Sequence, residues 1–192
     1  IFLIFANLIP LAGVLFSDWN LGDVMVLFWA ESAVIGFYNV LKLFVVSKFG
    51  ALFAAPFFIG HYGGFMAGHF LFIYYMFVRG FESSISQEGP VLTSLANLFG
   101  PLRWALLALF ISHGISFVVN FLGRKEYIGM TTQKLMSDPY QRIILMHVTI
   151  IFGGWLVMLL KAPILALALL ILLKTGADLS AHQKQHATPQ KA

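Results

Sequence analysis

Long apolar runs broken by short polar stretches organise this chain. Six windows are apolar over helical lengths, at 1–16, 22–46, 52–78, 102–122, 140–160 and 162–181. A membrane-spanning helix needs about 20 mostly apolar residues, and isolated strands cannot satisfy their backbone groups in lipid. All six windows therefore read as transmembrane helices. The predicted fold class is all-α: an integral membrane bundle of six helices forming one domain over 1–181, with a polar tail over 182–192. The first window is shorter than a span requires, so the chain is expected to begin inside a helix, and it lacks the basic start and small-residue cleavage site of a signal peptide.

Local signals refine the boundaries. Asp23 can cap the second helix, Pro56 falls in the first turn of the third, and Asp138-Pro139 reads as a cap followed by a first-turn proline. In the break from 80 to 100, Pro90 precedes Val91, Leu92, Leu95, Leu98 and Phe99 at helical spacing, which predicts a short interfacial helix. The break from 123 to 138 predicts a second one around Met130 to Met136. Lys174 and Asp178 interrupt the last window.

Composition supports the membrane reading. Of 192 residues, 59% are hydrophobic, 20 are Phe and only 10% are charged, far from the balance of a soluble domain. The absence of cysteine excludes disulfides, thiolate metal sites and thiol catalysis, so any metal would take nitrogen and oxygen ligands. Alternating the six helices across a bilayer puts Lys42, Lys48, Arg124, Lys125, Lys134, Arg142, Lys174, Lys184 and Lys191 on the side of the N-terminus, and only Arg79, Arg103 and Lys161 on the other. By the positive-inside rule both termini then face the cytoplasm. The net charge of +4 is thus a topological signal, with the lipid bilayer as partner and no nucleic acid.

Against this apolar background stand Glu31, His61, His69, His113 and His147. An ionisable group at membrane depth costs at least about 2.5 kcal/mol on insertion scales, so five of them suggest a polar site. The topology places Glu31, His69 and His113 near the midplane, and His61 and His147, with Asn39 and Asn120, in the cytoplasmic half. Neutral imidazole and carboxylate are the usual ligands of Zn, Fe and Cu(II), and bundle cores are where such ligands converge. Each histidine alone is equally well explained as interhelical glue. The expected roles are Glu31 as ligand or general base, the four histidines as ligands or proton carriers, and Asn39 and Asn120 as orienters of the ligands. Asp178 and His182, spaced i, i+4 near the end of the last window, are additional candidates, although Lys174 and Asp178 there also make an ordinary solvated ion pair. Gly60, Gly64 and Gly68 form a small-residue stripe that predicts close approach of another helix.

Three resemblances bear on the chemistry. Six helices and Gly114-Ile115-Ser116-Phe117 on the fourth resemble rhomboid proteases in part, but the glycine that should follow the serine is missing. Phe65 to His69 is similar to the Phe-x-x-x-His signature of the intramembrane CAAX-protease and bacteriocin-processing family, whose paired glutamates and arginine are absent around Glu31. The widest likeness is carried by Trp29-Ala30-Glu31, His61-Tyr62-Gly63 with His69, Ser112-His113 with Asn120, Pro139-Tyr140 with Arg142 and His147, and Lys174-Thr175 with Asp178 and His182. These resemble a family of prokaryotic polytopic membrane proteins known only as a domain of unknown function. That resemblance implies that the polar residues belong together and brings no activity.

Two functional readings follow. One is a metal-dependent membrane enzyme acting on a lipidic substrate. The other is a non-catalytic subunit, in which the histidines hold haem or a pigment or simply pack, with membrane-complex partners or a homo-oligomer.

Overall fold

The computed structural model describes residues 19–78 and 91–160. The predicted windows at 1–16 and 162–181, the tail, and with them Asp178 and His182, lie outside the described residues. Helix α1 spans Leu21–Ser47 and α2 spans Ala51–Ile73, running on into a π-helical turn, Tyr74–Val78. Helix α3 is Val91–Phe99, α4 is Arg103–Ser116 extended by a π-helical turn Phe117–Gly123, and α5 is Thr132–Leu160. Among the described residues no strand is present. Two helical stretches, Leu21–Val78 and Arg103–Gly123, are long and apolar enough to cross a membrane.

The start of α1 is fixed by a reciprocal cap. The Asn20 side chain accepts from the Asp23 N–H at 3.0 Å, and the Asp23 carboxylate accepts from the Asn20 N–H at 2.9 Å. The cap is therefore Asn20, and Asp23, expected in that role, closes the box from three residues inside. At the other end a single 3-10 turn, Lys48–Gly50, reverses the chain, with Lys48 in the left-handed region at φ 48°. The hairpin brings the first turn of α1 to the last of α2. A Cβ on Gly22 would lie 2.7 Å from the Phe77 carbonyl oxygen.

Helix α1 is the axle of the fold, packing against α2, α4 and α5. Its Val24, Met25, Val26 and Leu43 meet Phe58 and Ile73 of α2, Leu102, and Leu135, Ile143 and Ile150 of α5 in one core. Polar atoms stitch the same seams. Trp29 Nε1 donates to the Met66 carbonyl at 2.7 Å, Tyr62 Oη to the Ser32 carbonyl at 2.8 Å, and Tyr38 Oη to the Phe110 carbonyl at 3.0 Å. The close approaches use Gly36, where a Cβ would sit 2.5 Å from Tyr62 Cε1, and Gly114, 2.6 Å from Tyr38 Oη.

One expectation fails here for an identifiable reason. Helix α5 begins at Thr132 rather than near 140, so the short helix expected around Met130 to Met136 is its opening turn, and Pro139 lies inside it. Proline has no N–H to give to the carbonyl four residues back, here Leu135, and an unsatisfied carbonyl is expensive away from water. Asn39 of α1 supplies the missing donor, its Nδ2 reaching the Leu135 carbonyl at 2.8 Å in a buried setting. The proline is tolerated because another helix answers it. At Gly60, Gly64 and Gly68 nothing among the described residues lies within 4 Å of a Cβ built on any of the three, so a helix packed on that stripe would come from outside the described residues.

Candidate functional site

That glycine stripe floors a groove of about 630 Å³ between α2 and α5, lined by Gly60, His61, Gly64, Phe65, Gly68, His69 and Phe72 on one side and His147, Ile150 and Ile151 on the other. Its walls are apolar except for three imidazoles. Glycine on successive turns of α2 leaves the volume open, while the i, i+4 and i+8 spacing sends His61, Phe65 and His69 down one edge of it.

His69 and His147 meet across the groove. Nε2 of His69 lies 3.1 Å from Nδ1 of His147, with the rings nearly perpendicular at 78°. The tautomer of His69 follows from its other nitrogen: Nδ1 stands 2.7 Å from the Phe65 carbonyl, which only accepts, so Nδ1 carries the proton. A neutral His69 then presents a lone pair at Nε2. That lone pair can accept a proton from His147 Nδ1 or take a metal ion, since two lone pairs facing each other at that separation repel.

The meeting crosses the two depths that alternating helices predicted. The reason is the length of α5. Starting at Thr132 instead of 140 adds eight residues, or about 12 Å of rise, below His147 and lifts it to the level of His69.

The other candidates are distributed elsewhere. His61 bonds through Nδ1 to the Tyr140 hydroxyl and stacks on Phe57 at 5.5 Å. Glu31 is held by Arg142, whose Nη2 donates to Oε1 at 3.0 Å with the two side chains 15% and 29% exposed. A cavity of about 30 Å³ lies beside that pair, lined by Met25, Phe28, Ser32, Leu145, Met146 and Thr149 as well. His113 donates from Nδ1 to the Leu109 carbonyl one turn back at 2.9 Å and lies along the Tyr38 ring, with centroids 6.5 Å apart. Asn120 donates to Ser116 Oγ at 3.3 Å, and Asn39 serves Leu135 as described. Among the described residues, no three of His, Cys, Asp and Glu converge as a metal-holding group.

Two residues of this region were not expected as site residues. Arg142 reads in sequence as an orientation determinant, yet it stands inside an apolar window, where a cation calls for a partner, and Glu31 stands inside another. Tyr140 carries no such charge signal and stands out only in the family resemblance, because a tyrosine near a helix start is ordinary at a membrane interface.

No curated protein and no solved structure matches the chain. It belongs to a family of unknown function, DUF6498, which it matches over residues 1–192.

Proposed function

We propose that this is a multi-pass membrane protein that holds a transition metal between His69 and His147, in a groove open to lipid-soluble molecules. The single observation that supports the reading is the geometry of the pair. Two nitrogens 3.1 Å apart, each about 2.05 Å from a common ion, subtend an angle of about 98° at it, within the range of zinc and its neighbours. The bond from His69 Nδ1–H to the Phe65 carbonyl is the outer contact by which ligating histidines are usually fixed in tautomer and orientation. Two protein ligands leave positions for water or substrate, and a metal with open positions lowers the pKa of bound water and polarises carbonyl or phosphoryl oxygens. Hydrolytic or redox chemistry on a lipidic substrate fits an apolar groove. In this reading six helices span a prokaryotic inner membrane with both ends in the cytoplasm.

Cobalt(II) added to the purified, metal-free protein is the test. Binding at this pair gives visible d–d absorption that disappears in His69→Ala and in His147→Ala; a featureless spectrum in the parent rejects the proposal. The same 3.1 Å separation also supports the non-catalytic subunit: it is a hydrogen-bond distance, and a His147 tautomer that donates from Nδ1 to His69 would satisfy the pair without an ion. That version predicts no metal uptake, and its haem or pigment form predicts an absorption band in the protein as isolated.

A further inference from the structure

We propose that the cavity beside the Glu31–Arg142 pair, between α1 and α5, is a built site for internal water: one or two molecules that accept from Arg142 and donate to the oxygen atoms around them. The site is independent of the metal reading. On α5, Leu145 and Thr149 lie about 160° round the helix from His147, so this cavity and the histidine groove occupy opposite faces.

The guanidinium is incompletely partnered. Arg142 donates from Nη2 to Glu31 Oε1 at 3.0 Å, while its Nη1 is buried and has no hydrogen-bond partner among the described residues. A guanidinium holds its N–H donors in a rigid planar fork, so the bond to Glu31 fixes where Nη1 aims. A buried charged donor without an acceptor is costly, and nearly all such groups in folded proteins are satisfied by protein or by ordered water.

The space beside it has the size of water. Arg142 lines a cavity of about 30 Å³ together with Glu31, Ser32 and Thr149, and with Met25 and Met146 on its apolar side. A water molecule needs about 10–15 Å³ of such space and two to four polar partners. One or two therefore fit, and a lipid headgroup does not.

The balance of donors and acceptors selects the ligand. Ser32 Oγ donates to the Phe28 carbonyl at 3.2 Å, and Thr149 Oγ1 donates to the Leu145 carbonyl at 2.8 Å. Each hydroxyl has thereby committed its one proton and keeps lone pairs, and an ionised Glu31 only accepts. An anion would accept from Arg142 Nη1 and find lone pairs everywhere else. Water accepts from Nη1 and has two protons to give to those oxygens. It completes the guanidinium and reduces the desolvation cost that a dry ion pair between helices would carry.

Hydroxyl-radical footprinting tests the site. Brief radiolysis of the full-length protein in membranes generates radicals where water lies, and a methionine beside them is converted to its sulfoxide. Met25 and Met146 line the cavity at 1% and 6% exposure, while Met66, which does not line it, is as well hidden at 5%. Met25 and Met146 should be oxidised at least about fivefold faster than Met66, and equal rates would overturn the proposal. Arg142→Leu combined with Glu31→Gln removes the donor without stranding a charge. An apolar cavity stays dry, so in this variant both rates should fall to that of Met66. Rates that stay high would show that Arg142 does not hold the water, and the proposal fails. The comparison with Met66 in the parent needs no variant, and it decides the question even if the double variant does not fold.

Discussion

Arg142 shows how a single residue changes the meaning of another. Glu31 in an apolar helix reads as a free base or ligand; with the Arg142 guanidinium 3.0 Å away it is half of an ion pair that joins α1 to α5. Removing one member of such a pair strands the other, so Arg142→Ala should destabilise the protein by about 2 kcal/mol, below the range for fully buried pairs because both groups keep some exposure. Glu31→Gln in that background should recover part of the loss, which thermal unfolding in detergent measures. If the double variant is less stable than Arg142→Ala by the full cost of Glu31→Gln alone, the two residues are not coupled. Gly36 is the complementary case, a residue whose value is the absence of a side chain. A Cβ there would meet the Tyr62 ring at 2.5 Å, and Gly36→Ala should therefore cost on the order of 1–3 kcal/mol, whereas Gly60→Ala, with open space around it, should be nearly neutral in the same assay.

At the level of elements, the helices were legible in sequence wherever a long apolar run set them. The windows at 22–46, 52–78 and 102–122 correspond within a few residues to Leu21–Ser47, Ala51–Val78 and Arg103–Gly123, and the short helix expected after Pro90 is Val91–Phe99. The beginning of α5 was not legible, because Asp138-Pro139 carries a strong local stop and start signal. That signal is cancelled by a contact 96 residues away in sequence, the amide of Asn39 on the Leu135 carbonyl, and no local pattern reports such a contact. The error carried over to the site, since a helix begun eight residues early moves His147 from the level of His61 to that of His69. The interplay predicts a specific coupling. Asn39→Leu should cost about 1–3 kcal/mol by leaving a buried carbonyl without a donor, and Pro139→Ala, which restores a backbone N–H for that carbonyl, should reduce the cost. Equal losses from Asn39→Leu in both backgrounds would show that the amide is not answering the proline.

For the molecule as a whole, the arrangement separates strength from chemistry. Helix α1 collects the apolar core and the interhelical bonds of Trp29, Ser32, Tyr38 and Asn39, while the His69–His147 pair lies on the far side of α2 and α5, in a groove that the core does not fill. That these polar residues need partners inside the protein was readable from their improbability in apolar helices, and among the described candidates only His69 and His147 meet each other. Which ones meet was not readable, because pairing depends on helix rotation and on where each helix starts. The seam between α1 and its neighbours should therefore tolerate loss of the histidine pair: His69→Ala with His147→Ala should fold with near-parental secondary structure and lose the site alone. The most direct measurement is the transition-metal content of protein purified without added metal, in the parent and in that double variant. About one equivalent in the parent, absent from the variant, is the expected result for a site of this donor set. A parent with no bound transition metal, or a content that the double variant leaves unchanged, would contradict it.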